Sequence, residues 1–201
     1  MTRKIYLASR SPRRRELLRQ IGVSFELLVL RENPPRGADI DESPLPGESA
    51  EVYVQRVCLD KVRCAWMRVE QRKLPRMPVL SADTTVCLDD EILGKPGNAA
   101  EATRMLERLS GREHRVLSAV AINLNGRIEC AVNESLVRFR ELDSATIRRY
   151  VNSGEPMGKA GAYGIQGSAA AFIPSLSGSY SGVMGLPLYE TMQLLERFET
   201  S

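Results

Sequence analysis

Residues 114–139 read HRVLSAVAINLNGRIECAVNESLVRF, and this stretch does most to set the fold. Two extended runs, His114 to Leu124 and Arg127 to Phe139, are separated only by Asn125-Gly126. Asn-Gly is the strongest short-range hairpin signal, because both residues tolerate the positive φ angles that a two-residue turn requires. The sequence therefore predicts a long antiparallel ribbon.

Helices and shorter strands are predicted on both sides of the ribbon. Lys4 to Ala8 is β-rich and leads through a turn into a helix, with Ser11 as N-cap, Pro12 at the first helical position and Gly22 at the C-terminal cap. The other predicted elements are a long loop and candidate lid over Arg31 to Gly47, a helix from Ser49 to about Lys73, a β run over Val79 to Leu88, a helix Ala99 to Leu109 opened by Asn98 and Glu101, a helix from Asp143 to about Asn152, and a last helix from Pro187. No repeat or linker interrupts them, so residues 1–201 are expected to form a single α/β domain whose sheet is not all parallel.

The composition narrows the chemistry. With 43% apolar and 26% charged residues, the chain can bury a core, and no apolar run is long enough for a membrane helix. Four cysteines without a CxxC pair favour free thiols and a cytoplasmic location. The single histidine, His114, excludes a zinc site built from several histidines. Catalysis is therefore expected to depend on carboxylates, lysines and arginines.

The positive charge is local. Residues 1–20 contain seven arginines and lysines against one glutamate, whereas the whole chain has a net charge of +3, so the remainder is net acidic. Nucleic-acid binding would need a broader basic surface and interleaved aromatic residues, and only 5% of the residues are aromatic. A small anionic ligand fits this distribution better.

Two segments are candidate site elements. The turn Ser9 to Arg14 places hydroxyls, arginines and a helix N-terminus together, which suits a phosphate, although a capped surface helix with solvated arginines explains the pattern equally well. Asp83 interrupts a buried β run, so it is expected to be paired, metal-bound or functional, the alternative being a strand-end residue bonded to a turn. A carboxylate in such a place can act as general base.

Lys61 and Lys95 could each clamp an oxyanion, but a solvated surface lysine is the more common case. The segment Gly158 to Gly167 has a glycine every third residue, which lets its backbone approach a ligand or another strand closely. It contains neither a P-loop nor a dinucleotide-binding pattern.

In combination, five blocks resemble the Maf family of nucleoside triphosphate pyrophosphatases in order and spacing over essentially the whole chain. They are Ala8-Ser9-Arg10-Ser11-Pro12-Arg13-Arg14, Ala82-Asp83-Thr84, Gly94-Lys95-Pro96, Lys159 to Gly167, and Gly178-Ser179-Tyr180 with Gly185-Leu186-Pro187. The block that includes Gln166 is most similar to the branch acting on dTTP and UTP.

The resemblance implies a Maf/Ham1-like α/β fold: an elongated, twisted mixed sheet flanked by helices, with two lobes, a central cleft and often a dimer. It also implies metal-dependent hydrolysis, with Mg²⁺ or Mn²⁺, of a nucleoside triphosphate to the monophosphate and pyrophosphate, a house-cleaning activity on nucleotide pools. Carried over by position, Asp83 matches the proton acceptor. Arg13, Thr84 and Gln166 match positions that set base preference, and Ser9, Arg14, Lys61 and Lys95 match phosphate contacts.

One acidic segment, Asp39-Ile40-Asp41-Glu42, resembles a family segment whose carboxylates help to hold metal, and Glu42 is the candidate ligand. The chain departs from the family pattern at Arg10 and at Val57 to Asp60, residues to which the resemblance assigns no catalytic role. A rival interpretation is a non-catalytic nucleotide-sensing regulator of cell division. It would be indicated by loss of the carboxylate or of a lysine, and Asp83, Lys61 and Lys95 are all present.

Overall fold

A computed structural model describes residues 4–30 and 39–198. In chain order the regular elements are β1 (Lys4–Leu7), α1 (Pro12–Gln20), β2 (Ser24–Leu27), α2 (Ala50–Gln71), β3 (Val79–Leu88), β4 (Glu91–Leu93), α3 (Ala99–Leu109), β5 (Glu113–Leu124), β6 (Arg127–Arg138), α4 (Ser144–Asn152), 3₁₀ turns at Ala160–Ala162 and Ser168–Phe172, β7 (Ser175–Ser177), α5 (Tyr180–Met184) and α6 (Leu188–Arg197).

The strands form one mixed, seven-stranded sheet with the order β2-β1-β3-β5-β6-β7, and β4 pairs with β3. The predicted hairpin is confirmed: β5 and β6 pair antiparallel, and Asn125 and Gly126 have φ angles of 53° and 86°. β1 is parallel to its neighbours β2 and β3, whereas the remaining pairs are antiparallel. The mixed α/β architecture predicted from the sequence is therefore confirmed.

Local signals fix most helix ends. The Asn98 side chain accepts a hydrogen bond from the Glu101 amide, and a Glu101 carboxylate oxygen accepts one from the Gly97 amide. This reciprocal arrangement starts α3 at the predicted residue. Asp143 caps α4 in the same way through the Thr146 amide, at 2.6 Å.

One cap prediction was wrong in its chemistry. Ser11 does precede α1, with Pro12 at the first helical position, but the Ser11 hydroxyl makes no capping hydrogen bond. The Ser11 amide instead donates to Oγ of Ser9, at 3.2 Å. The turn before α1 is therefore organised by Ser9, and Gly22, with φ of 71°, ends the helix region as predicted.

Three apolar clusters cover the sheet. The half of the sheet that contains β1 has α2 on one face and α1 with α6 on the other. The other half, around Val86, Val116 and Phe139, packs against α3, α4 and the two 3₁₀ turns. Each half of the sheet forms a lobe with the helices that cover it. β3 and β5 run through both halves, so the two lobes share one sheet, and a cleft lies between them. No helix in the described ranges combines the length and apolar character needed to cross a bilayer.

Candidate active site

The cleft begins where two parallel strands separate. β1 pairs with β3 only at Val79 and Leu80, and β4 joins β3 again only from Val86. The stretch of β3 that contains Asp83 and Thr84 consequently has β5 on one edge and an open edge on the other. Ligands of α/β proteins commonly bind at the carboxyl end of neighbouring parallel strands.

A cavity of about 870 Å³ occupies this opening. Its walls contain every predicted catalytic and metal-binding residue and all but one of the predicted substrate-binding residues: Ser9, Arg13, Arg14, Glu42, Lys61, Asp83, Thr84 and Lys95. These residues come from the turn after β1, α1, the loop before α2, α2 itself, β3 and the segment after β4. The tertiary fold therefore assembles residues that are up to 86 positions apart between Ser9 and Lys95.

Four side chains form a line of alternating charge along the cavity. Nζ of Lys61 lies 2.7 Å from Oδ1 of Asp83 and 2.9 Å from Oε1 of Glu42. The second carboxylate oxygen of Glu42 lies 3.5 Å from Nζ of Lys95. An ammonium group has three donors, so Lys61 keeps one N–H for a ligand. Oδ2 of Asp83 has no hydrogen-bond partner in the part of the chain that the structure describes.

The ion pairs change the proton affinities of this line. Burial alone would lower the pKa of Lys61, but Asp83 and Glu42 outweigh it and raise that pKa above its usual value. Burial alone would raise the pKa of Glu42, yet the charges of Lys61 and Lys95 outweigh it and lower that pKa. Lys61 is therefore fully protonated, and Glu42 ionised, at neutral pH.

Glu42 is held in place through its backbone. The Tyr53 hydroxyl of α2 donates to the Glu42 carbonyl oxygen, at 2.9 Å. Arg56 donates to the Ser43 carbonyl and pairs with Glu48, at 3.0 and 2.6 Å. The predicted lid over Arg31 to Gly47 is thus anchored on α2 in its second part, whereas residues 31–38 lie outside the described residues.

Of the acidic segment, Glu42 is the residue that the structure places in the line. Asp39 pairs instead with Arg68 at 2.7 Å, and the Asp41 side chain accepts from the Ser43 amide. The sequence did not separate these three carboxylates, because the loop gives no periodic signal to show which of them faces the protein.

Ser9 and Arg14 form a second part of the wall. Arg14 Nε donates to the Gly185 carbonyl at 2.8 Å, and a terminal nitrogen of Arg14 donates to Oγ of Ser9 at 3.2 Å. Burial lowers the pKa of the Arg14 guanidinium, and the Asp83 charge opposes that effect. A guanidinium remains charged at neutral pH, so Arg14 brings a fixed positive charge to the cavity.

Lys159 brings positive charge from the opposite lobe, next to Arg13 of α1. A Cβ on Gly164 would lie 2.9 Å from a terminal nitrogen of Arg13 and 3.0 Å from Cε of Lys159. The glycine therefore allows the loop to pack against both cations. Burial, together with the charge of Arg13, lowers the pKa of Lys159. In the described ranges Arg13 forms no salt bridge with a carboxylate.

Gln166 lies outside the main cavity. It is exposed and lines an adjoining depression of about 300 Å³, which shares Pro12, Arg13 and Lys159 with the cavity. A role of Gln166 in base preference therefore requires that the base extend past Arg13 into this depression.

The remaining reactive groups have structural settings. His114 is buried, and its Nε2 lies 2.8 Å from the Tyr163 hydroxyl, whereas its Nδ1 has no hydrogen-bond partner among the described residues. The four cysteines are free thiols, as predicted. No motif in the sequence marked Tyr53 and Arg56, whose importance depends on contacts between distant segments. Lys159 opens one of the five family-like blocks, but the sequence reasoning assigned it no role.

The donor set suits a divalent cation that binds together with a triphosphate. The described residues contain no group of three or more metal-ligating side chains. Mg²⁺, however, is usually held by one or two carboxylates together with substrate phosphates and water. Glu42, which lies between Lys61 and Lys95 in the cavity, is a carboxylate that could serve in this way.

The cleft in this mixed α/β fold is cationic and contains two carboxylates. These features are typical of a protein that binds a compact polyanion. The chain matches the family model described as Maf-like protein over residues 4–198, and it belongs to this family. It is 57% identical over 196 residues to a dTTP/UTP pyrophosphatase of Aromatoleum aromaticum, covering 97% of this chain and 95% of that relative.

Two further relatives carry the same name. One, from Nitrosomonas europaea, is 54% identical over 192 residues, which cover 96% of this chain and 93% of the relative. The other, from Dechloromonas aromatica, is 55% identical over 194 residues, which cover 96% of both chains. The resemblance to the Maf family is therefore confirmed over nearly the full length.

Proposed function

We propose that this chain is a nucleoside triphosphate pyrophosphatase that hydrolyses dTTP and UTP to the nucleoside monophosphate and pyrophosphate. The observation that carries the proposal is the line of Asp83, Lys61, Glu42 and Lys95 inside a cationic cavity. The relatives named dTTP/UTP pyrophosphatase support the reaction and the substrates.

The cations of the cavity match the charge of the substrate. A nucleoside triphosphate carries about four negative charges, and water can approach the α-phosphorus only when these are neutralised. Arg14 and Lys61 are held by hydrogen bonds to the protein, and each keeps donors for phosphate oxygens. Ser9, Arg13 and Lys95 extend the contact surface along the cavity.

Asp83 is the candidate general base. Its Oδ1 atom is fixed by Lys61, while Oδ2 is available to accept the proton of the attacking water. The new bond forms between the water oxygen and the α-phosphorus, and the bond from this phosphorus to the bridging oxygen breaks. The electron pair leaves with pyrophosphate, whose charge Lys61 and Lys95 stabilise.

A divalent metal is the expected cofactor, with Glu42 as the residue that would hold it. When bound, it supplies positive charge to the phosphate oxygens and to the leaving pyrophosphate. Lys61 would then exchange part of its contact with the carboxylates for contact with the phosphates. The cytoplasmic location and the homodimer stay predictions, and light scattering on the purified protein measures the oligomeric state.

A substrate screen tests the proposed function. Purified protein with Mg²⁺ or Mn²⁺ is mixed with dTTP, UTP, CTP, ATP and GTP, and pyrophosphate release is followed for each. We expect the highest kcat/KM with dTTP and UTP. Binding of these nucleotides without hydrolysis would instead favour the nucleotide-sensing regulator.

A further inference from the structure

Two hydroxyl groups, those of Thr84 and Ser118, connect the cavity to the backbone of α5. Thr84 of β3 lies directly opposite Ser118 of β5 in the strand register. Oγ1 of Thr84 lies 2.8 Å from Oγ of Ser118, which in turn lies 2.6 Å from the carbonyl oxygen of Gly182 in α5.

The direction of both hydrogen bonds follows from proton counting. The Gly182 carbonyl oxygen can only accept, so the single hydroxyl proton of Ser118 is donated to it. Ser118 then has only lone pairs for Thr84. The proton between the two hydroxyls therefore belongs to Thr84, which donates to Ser118.

This direction leaves Thr84 as a hydrogen-bond acceptor toward the cavity that it lines. The arrangement is rigid, because Ser118 is 1% exposed and a Cβ on Gly182 would lie 2.9 Å from Oδ1 of Asn133. Phosphate oxygens also only accept at neutral pH, and they would be repelled by the Thr84 oxygen. The part of the substrate that meets Thr84 must instead offer a donor.

We propose that Ser118 is a positioning residue that fixes the Thr84 hydroxyl as an acceptor and thereby selects a base with an N–H at that point. The inference rests on the proposed function, since it concerns the choice among nucleotides. Uracil and thymine have one donor on the base edge, N3–H, whereas N3 of cytosine is an acceptor. The Thr84 oxygen therefore pairs with N3–H of UTP and dTTP and faces a second lone pair in CTP.

The test measures binding, so that it does not depend on hydrolysis. The affinities of α,β-methylene-UTP and α,β-methylene-CTP are compared by calorimetry for the wild type and for Ser118→Ala. Without Ser118, the Thr84 proton can turn toward the ligand and donate to N3 of cytosine. We expect the ratio of UTP-analogue to CTP-analogue affinity to fall about tenfold, the loss typical of one hydrogen bond.

Two further variants separate positioning from general damage. Ser118→Thr keeps the hydroxyl and is expected to retain the wild-type ratio. Ser135→Ala removes another buried serine, which also bonds the α5 segment through the Ser179 amide but does not touch Thr84, and should leave the ratio unchanged. Thermal unfolding confirms that each variant is folded.

The outcomes distinguish the two proposals. An unchanged ratio in folded Ser118→Ala overturns the role of Ser118, whatever the enzyme hydrolyses. An equal fall of the ratio in Ser135→Ala also overturns it, because the effect would then come from any loosening near α5. A fall confined to Ser118→Ala supports it, even if no nucleotide were hydrolysed and the proposed function itself failed.

Discussion

Nζ of Lys61 lies 2.7 Å from Oδ1 of Asp83, although the two residues are 22 positions apart and belong to α2 and β3. Both side chains are largely buried, with 14% and 11% of their surface exposed. A buried charge that loses its partner is strongly unfavourable, so the fold depends on keeping the two residues paired. Lys61 binds only Oδ1 of Asp83, so Oδ2 remains available for catalysis.

Replacing Asp83 by Asn is expected to remove most turnover while keeping nucleotide affinity within a few fold. The amide has the shape of the carboxylate but cannot accept the proton, and loss of a general base typically lowers kcat by about 10² to 10⁴. Steady-state rates and a binding isotherm measure both quantities. Asp60→Asn, an exposed carboxylate of α2, is the matched control. Near-normal turnover in Asp83→Asn would exclude the general-base role.

Removal of the Arg13 side chain is expected to impair triphosphate use more than use of any diphosphate that the enzyme accepts. Arg13 lines the cavity, and each lost charge-assisted contact is worth roughly 1.5 to 3 kcal/mol. The ratio of kcat/KM for the two substrates in Arg13→Ala measures this. Arg15→Ala, on the same helix but outside the cavity lining, should behave like the wild type. Equal losses on both substrates would indicate that Arg13 contacts the base side.

A substitution of Gln166 tests whether the base reaches the adjoining depression. Its amide group can donate to the 4-oxo group of uracil and thymine, next to the N3–H group that Thr84 accepts. Gln166→Glu leaves an acceptor only, so the preference for dTTP and UTP over CTP should fall by about 1 to 3 kcal/mol per unpaired group. Competition kinetics measure the preference, with the exposed Gln20→Glu as control. An unchanged preference would place the base away from the depression around Gln166.

His114 predicts a pH dependence of stability rather than of chemistry. Burial lowers its pKa to about 4, whereas an unfolded histidine has a pKa of about 6.5. Between these values the unfolded chain binds a proton that the native protein does not. The free energy of unfolding should therefore decrease as the pH falls from 6.5 to 4, by about 3 kcal/mol in total.

Thermal unfolding across this range checks the prediction for the wild type and His114→Phe. His114 is the only histidine of the chain, so the variant isolates its contribution. The Tm difference between the two proteins should change steadily below pH 6.5 in favour of the variant. Parallel curves would show that carboxylates alone set the acid sensitivity.

Much of the fold was predictable because its signals are local. The Asn125-Gly126 turn and the Asn98 and Asp143 caps act within three or four residues, and the structure confirms them. Ser11 stands at the N-cap as predicted, but its hydroxyl makes no capping hydrogen bond, and its amide donates to Oγ of Ser9. This contact depends on how β1 leads into the turn, which a propensity pattern does not contain.

The sequence named most of the residues that the structure brings into one cavity, but it did not predict the contacts between them. Asp83 stood out because a carboxylate interrupts a buried strand, and the family resemblance added the lysines. That Lys61 bridges Asp83 and Glu42, and that Gln166 lies in a separate depression, depends on the packing of α2 and of the glycine-rich loop. The role of Ser118 was invisible, because only the strand register brings it to Thr84.

The position of bond cleavage distinguishes attack at the α-phosphorus from attack at the other phosphates. UTP is incubated with the protein and a divalent metal in H₂¹⁸O, and the products are separated and their masses measured by mass spectrometry. We expect UMP and pyrophosphate, with ¹⁸O in the UMP phosphate, because water guided by Asp83 attacks the α-phosphorus. Formation of UDP and inorganic phosphate, or ¹⁸O in pyrophosphate with unlabelled UMP, would contradict it.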